Sequence, residues 1–94
     1  MKNIEEEIWS SRDINLATAL IVSGIKLIGI DFQIEGEEGK KVGYFTFDKT
    51  PELIKIEQKY WDKTLLLEPR EFSSVLGSLK SRVMNRYKNP NYKR

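Results

Sequence analysis

Apolar and polar residues alternate most regularly in the middle of the chain. In residues 27–35 every second side chain is apolar, which is the period of a β-strand with one buried face. Gly36 and Gly39 can turn the chain, and residues 41–47 then alternate again. The pattern predicts a β-hairpin whose first strand presents a core face made of Ile28, Ile30, Phe32 and Ile34.

Before the hairpin, a helix that is apolar on nearly every side is predicted over residues 14–23. Such a helix belongs in the interior of a domain. Asp13 can cap its first turn through the side-chain carboxylate, and Gly24 suits the left-handed residue that ends many helices. A second helix begins after the hairpin at Thr50 and Pro51, where a hydroxyl cap precedes a proline in the first helical position.

The last helix is predicted from Pro69 to about Lys88, and it is amphipathic. The helical period brings its apolar residues into one stripe. The stripe consists of Phe72, Val75, Leu76, Leu79, Val83 and Tyr87. Residues 89–94 are predicted to be a flexible basic tail, because chain ends fray unless they are tied down.

Short strands around residues 7–11 and 65–67 complete the predicted order β-α-β-β-α-(β)-α. This is an α+β fold with a small antiparallel sheet built on the central hairpin and packed by two to three helices. The order resembles a ferredoxin-like sandwich with an added C-terminal helix. If residues 65–67 do not form a strand, the sheet has only three strands. We expect residues 1–88 to form a single compact domain.

The chain of 94 residues contains no cysteine and no histidine. Disulfides and thiolate metal sites are therefore excluded, and the commonest general base and metal ligand are absent. The serines have no histidine to activate them, and the glycine-rich loops that hold phosphates do not occur. We expect a protein that is not an enzyme and that requires no metal and no cofactor.

One acidic pattern is compatible with a nuclease. Glu38-Gly39-Lys40 matches the acid-x-lysine triplet of some metal-dependent nucleases, in which the triplet lies along a strand. Here the triplet falls on the predicted turn, where solvated side chains explain the charges without chemistry. A metal-dependent nuclease is therefore only a minor alternative.

The charge of the chain is unevenly distributed, although the net charge is only +2. Residues 1–71 hold 10 basic and 14 acidic side chains, a net charge of −4. Residues 72–94 hold no acid and a net charge of +6. The six basic residues are Lys80, Arg82, Arg86, Lys88, Lys93 and Arg94. Their concentration on one element favours an anionic partner.

The outward face of the last helix carries small polar residues where an ordinary solvated helix would carry Glu and Lys. These include Ser74, Gly77, Ser78 and Ser81. Small residues bordered by cations would let a phosphate backbone or another helix approach closely. The leading hypothesis is nucleic-acid binding in which Lys80, Arg82, Arg86 and Lys88 neutralise phosphates and Lys93 and Arg94 form a flexible extension. The sequence does not distinguish DNA from RNA.

The alternative is a protein-binding or self-associating module, such as a phage-encoded inhibitor of a host protein. The interface would then be the face formed by Ser74, Gly77, Ser78 and Ser81, or an open edge of the sheet. The partner would be another protein or a second copy of the chain. The simplest interpretation of the same helix is a surface helix whose cations favourably face its C-terminal dipole.

Aromatic residues on the second hairpin strand allow a further comparison. Residues 41–47 loosely resemble the strand on which RNA-recognition motifs stack bases, and Ile8-Trp9 would take the place of that fold's first strand. The pattern is interrupted by Val42. Aromatic residues on strands more often belong to the core, and we expect core positions for these.

The sequence carries no pattern for export or membrane insertion. Three consecutive acids, Glu5, Glu6 and Glu7, stand where a signal peptide would have a basic start and an apolar run. The longest apolar run, residues 16–22, is too short to span a bilayer. We expect a cytoplasmic protein without a membrane partner, located in the host cytoplasm if it is phage-encoded.

Taken together, several patterns resemble a small family of bacterial and phage domains without an assigned activity. They are Asp13-Ile14-Asn15-Leu16-Ala17-Thr18-Ala19-Leu20 with Gly24 and Leu27, Tyr44-Phe45-Thr46-Phe47-Asp48, Tyr60-Trp61, and Glu68-Pro69-Arg70-Glu71-Phe72 leading to Leu79-Lys80-Ser81. The resemblance covers most of residues 8–83. It implies a compact domain in a phage or mobile-element setting, and it transfers no catalytic or binding residue.

Overall fold

The computed structural model describes residues 7–88, and for residues 85–88 it describes the backbone without the side chains. The elements follow one another as β1 (Ile8–Ser11), α1 (Ile14–Val22), β2 (Leu27–Glu35), β3 (Lys40–Asp48), α2 (Pro51–Asp62) and α3 (Pro69–Lys88). The predicted α+β fold is confirmed. Residues 65–67 connect α2 to α3 without joining the sheet, so the three-stranded form of the prediction is the correct one.

The sheet is antiparallel and has the order β1-β3-β2. The predicted hairpin joins β2 to β3, from the pair Glu35–Lys40 next to the turn to the pair Leu27–Phe47 at the far end. Gly36 and Gly39 turn the chain with φ angles of 81° and 71°, which glycine adopts at little cost. Because α1 connects two strands that flank β3, the first half of the chain is a split β-α-β unit.

The predicted core face of β2 is wrong at two of its four positions. Ile28 is exposed because the pairing with β3 shifts between Leu27 and Gly29, and the extra residue leaves Leu27 on the core side. Ile34 is exposed because it lies at the turn end of the hairpin, opposite Lys41 and outside the core cluster. Ile30 contacts the core as expected.

Helix α1 is buried, as its apolar sequence predicts. Asp13 caps its first turn by accepting hydrogen bonds from the backbone N–H groups of Asn15 and Leu16 at 3.0 and 3.2 Å. Its one buried polar side chain, Thr18, donates to the carbonyl oxygen of Ile14 at 2.7 Å. Gly24 follows the helix with a φ of 101°, the left-handed conformation that was predicted.

Helices α2 and α3 complete one core cluster on the side of the sheet that carries Phe45 and Phe47. Thr50 caps α2 by accepting from the backbone N–H of Leu53 at 3.1 Å, and Leu53 is fully buried. Helix α3 packs mainly against α1, and its Leu79 belongs to the same core cluster. Within residues 7–88, no helix is long and apolar enough to cross a membrane.

Candidate nucleic-acid interface

Helix α3 carries the predicted basic residues on a well-defined amphipathic frame. Pro69 begins the helix, and the carboxylate of Glu68 accepts a hydrogen bond from the backbone N–H of Glu71 at 2.7 Å. Leu79 is buried, and the other described members of the predicted apolar stripe are half-buried. This stripe packs on α1, so the remaining circumference of α3 faces outward.

The predicted nucleic-acid contacts are only partly described by the structure. Lys80 and Arg82 are exposed on α3. Arg86 and Lys88 belong to the last turns of α3, and their side chains lie outside the described part. Lys93 and Arg94 lie outside the described residues altogether.

The predicted small-residue face is exposed. Ser74, Gly77, Ser78 and Ser81 all lie on the outer side of α3. A methyl group built on Gly77 would meet no atom within 4 Å beyond its chain neighbours and the backbone of its own helix. The packing of this chain therefore does not explain why a glycine stands in the interior of a helix, where it is unfavourable.

A cluster of basic residues that was not predicted lies beside the second half of α3. Arg12, directly after β1, and Lys40 and Lys41, at the start of β3, line a shallow cavity of about 280 Å³ together with Val83 of α3. We call this cavity the cationic groove. Lys80 lies one helical turn before Val83 and so on the same side of α3 as the groove. Arg82 precedes Val83 in sequence but projects about 100° away from it around the helix.

Arg12 contacts a residue of β2, the strand on the far side of β3. Its guanidinium lies 3.5 Å from the carboxylate of Glu35, and the Arg12 side chain remains largely exposed. The same carboxylate accepts a hydrogen bond from the Tyr44 hydroxyl, and this bond raises the pKa of Tyr44 above its usual value. The ion pair is solvated and contributes little to stability.

Acidic residues limit the positive surface on the hairpin side. Glu35, Glu37 and Glu38 line an adjacent shallow cavity of about 390 Å³ together with Lys40. Lys40 therefore separates the cationic groove from an acidic turn. A polyanion bound in the groove would extend along α3 and away from the turn, because like charges repel.

The acid-x-lysine triplet does not lie along a strand in the structure. Glu38-Gly39-Lys40 occupies the end of the turn, with only Lys40 on a strand. Within residues 7–88, no group of acidic side chains is arranged to hold a metal ion. The triplet therefore lacks the strand geometry that the nuclease hypothesis requires.

The aromatic residues of β3 belong mainly to the core. Phe45 and Phe47 are buried, and Trp9 packs edge-on against Phe47 with ring centroids 5.9 Å apart. These phenylalanine rings have no exposed face on which a base could stack. The predicted core positions of Phe45 and Phe47 are confirmed.

A second concave surface, also absent from the sequence predictions, lies where α1, α2 and the start of α3 meet. This apolar groove, of about 560 Å³, is lined by Ala19, Tyr60, Lys63, Leu65, Leu67, Pro69, Phe72 and Ser73. Burial raises the pKa of Tyr60, and the charge of Asp13 raises it further. Leu66 is 91% exposed and Trp61 is 58% exposed, next in sequence to lining residues. Such a surface suits an apolar partner better than a phosphate.

Comparison with known proteins identifies a family to which no activity has been assigned. A family model described as a domain of unknown function (DUF5659) matches residues 6–85. No curated protein and no solved structure matches the chain. The family match agrees with the predicted resemblance to a domain family that has no assigned activity.

Proposed function

We propose, from the premise that the chain belongs to the DUF5659 family of domains of unknown function, that this protein binds nucleic acid and catalyses no reaction. The binding surface consists of the cationic groove and the adjoining basic residues of α3. The observation that carries the proposal is the convergence of Arg12, Lys40 and Lys41 beside Val83, one helical turn from Lys80.

The chemistry of this surface favours a phosphate backbone. Lysine and arginine side chains on neighbouring elements can follow the regular spacing of phosphates, and each contact releases counterions. The small side chains on the outer face of α3 leave room for close approach of a strand. Because Phe45 and Phe47 of β3 are buried, stacking of bases on aromatic rings would contribute little to binding. We therefore expect the affinity to depend weakly on base sequence.

The test is fluorescence anisotropy of labelled single- and double-stranded DNA and RNA at two salt concentrations. If about four phosphates are neutralised, affinity for duplex DNA should fall by about two orders of magnitude between about 50 and 200 mM salt. The four probes also decide between DNA and RNA.

Two double variants test the two parts of the proposed binding surface separately. Lys80→Ala/Arg82→Ala removes the cations of α3, and Lys40→Ala/Lys41→Ala removes those at the start of β3. Each pair should weaken binding to all sequences and lower the salt slope by about 2. The matched control is Lys55→Ala/Lys59→Ala, which removes two exposed charges from α2.

Equal losses in all three double variants would show that only net charge matters and would refute a defined surface. Absence of binding to all four probes at low salt would refute nucleic-acid binding itself.

The second candidate function is protein binding, and the apolar groove favours it. Leu66 and Trp61 are exposed and adjoin its lining residues in sequence, and they could extend the apolar surface. In this case the protein would act as an interaction module, for example as a phage-encoded inhibitor of a host protein. Leu66→Asp should then abolish co-purification of the partner, while Lys80→Ala/Arg82→Ala should leave it intact.

Either function is proposed to operate in the cytoplasm of a bacterium, including one that carries a phage. Nucleic acid and most host regulatory proteins are accessible there. Cell fractionation of an epitope-tagged chain tests this location, and recovery in the membrane or secreted fraction would contradict it.

A further inference from the structure

Strand β2 is a long edge strand. It lies at one end of the order β1-β3-β2 and contains nine residues, Leu27–Glu35. Alternate residues of an edge strand direct their N–H and C=O groups away from the sheet, where they can pair with another strand. The opposite edge, β1, contains only four residues in Ile8–Ser11.

The usual protections of an edge strand are weak in β2. Residues 27–35 contain no lysine and no proline, and the register shift beside Ile28 affects only one end of the strand. Ile34 is 64% exposed near the other end. The carboxylate of Glu35 is directed towards Arg12 and Tyr44 across the sheet. An edge of this kind favours strand addition.

The order of side chains in β2 is nearly symmetric about Phe32. Asp31 and Gln33 flank it, and Ile30 and Ile34 follow on either side. If a second copy pairs antiparallel with Phe32 at the centre, Ile30 of each copy lies opposite Ile34 of the other. Asp31 of each copy then lies opposite Gln33. In this register, apolar side chains meet on one face and a carboxylate meets an amide on the other.

We propose that two copies of this chain pair through β2 in this antiparallel register, joining two three-stranded sheets into one. The contact between Asp31 and Gln33 supports the register. Within one chain the Gln33 amide already donates to the Asp31 carboxylate at 3.1 Å, so both side chains lie on the same face with compatible chemistry. Opposite positions in an antiparallel pair are closer than positions two apart along a strand, so the same bond forms more directly between copies.

The exposed isoleucine supplies the apolar part of the interface. Ile34 of one copy would lie opposite Ile30 of the other, which already contacts the core. The two-fold symmetry makes this contact twice. An interface of one strand pair is small, so we expect dissociation in the micromolar to millimolar range, roughly that of weak complexes.

The first experiment is sedimentation velocity of the full chain, without nucleic acid, from about 1 µM to about 1 mM. Wild-type protein should pass from monomer to dimer over this range. Ile34→Lys should weaken the dimer by about tenfold or more, because it places two cations against an apolar rim. The matched control is Ile8→Lys, at a residue that is 59% exposed on the opposite edge, and it should leave the dimer unchanged.

A second pair of variants tests the register itself. Gln33→Glu would place a carboxylate opposite Asp31 of the other copy, and Gln33→Lys would place an ammonium there. We expect the former to weaken and the latter to tighten the dimer, each by about threefold to tenfold, since the pair occurs twice. Both substitutions lie on an exposed side chain, so circular dichroism should show an unchanged fold.

Three results would overturn the proposal. Wild-type protein could remain a monomer throughout the concentration range. Ile8→Lys could disrupt a dimer that Ile34→Lys does not, which would place the interface at β1. Gln33→Glu and Gln33→Lys could have the same effect, which would exclude the register centred on Phe32. None of these results depends on nucleic-acid binding, so the two proposals fail separately.

Discussion

Helices α1 and α3 pack against each other but differ in almost every other respect. All residues from Leu16 to Leu20 of α1 are buried, and the helix contains no charged residue. In α3, only Leu79 is buried among residues 69–84. One helix is therefore almost entirely interior, and the other has a single covered stripe.

The difference separates stability from recognition. In helix α1, the buried hydroxyl of Thr18 donates to the carbonyl oxygen of Ile14, and only Asn15 is exposed. Helix α3 contributes a stripe to the core and keeps its serines, Gly77 and its described basic residues, Arg70, Lys80 and Arg82, outside. Substitutions in α1 should therefore change the free energy of unfolding, whereas those on the outer face of α3 should change binding.

The largest expected effect is in the core of α1. Leu20→Ala should lower the free energy of unfolding by about 3–5 kcal/mol, because Leu20 is fully buried and its removal leaves a cavity. The comparison variant, Leu76→Ala in α3, truncates a half-buried leucine outside the core cluster and should cost about 1 kcal/mol. Urea denaturation measures both. Equal costs would mean that α3 is as much a part of the core as α1.

The next effect concerns the first turn of each helix. Asp13→Ala should lower the free energy of unfolding by about 1–2 kcal/mol, because it removes an acceptor shared by two backbone N–H groups. Glu68→Ala removes an exposed acceptor of one N–H group and should cost about 0.5 kcal/mol. Thermal denaturation of the two variants tests the order. A larger loss for Glu68→Ala would contradict the dominant contribution of α1.

The sequence predicted those elements whose signals are local. The apolar run of α1, the caps at Asp13 and Thr50, and the glycines of the hairpin turn each act within a few residues, and all appear where expected. The face of β2 was predicted less well. Whether Ile28 lies inside depends on a register shift against β3, which the alternation within one strand does not contain.

The basic surface was also predicted only as far as the periodicity of a single element allows. Lys80 and Arg82 were identified because helical periodicity places them outside. The contribution of Arg12 and Lys41 was missed because it depends on the pairing of β1 with β3 and on the packing of α3 beside them. The pair Lys40-Lys41 after a turn was the available signal. Sequence periodicity thus locates residues on one element, and tertiary packing decides which elements combine.

The smallest expected effect has the opposite sign and concerns the interior of α3. Gly77→Ala should raise the free energy of unfolding by about 0.5–1 kcal/mol, because alanine favours the helix and its methyl group meets no atom within 4 Å. Gly24→Ala, the matched control, should instead destabilise the protein, since Gly24 has a φ of 101°. A destabilised Gly77→Ala would mean that α3 has a packing partner at this face within the chain itself. A stabilised variant that also binds its partner more weakly would show that the glycine serves contact at the expense of helix stability.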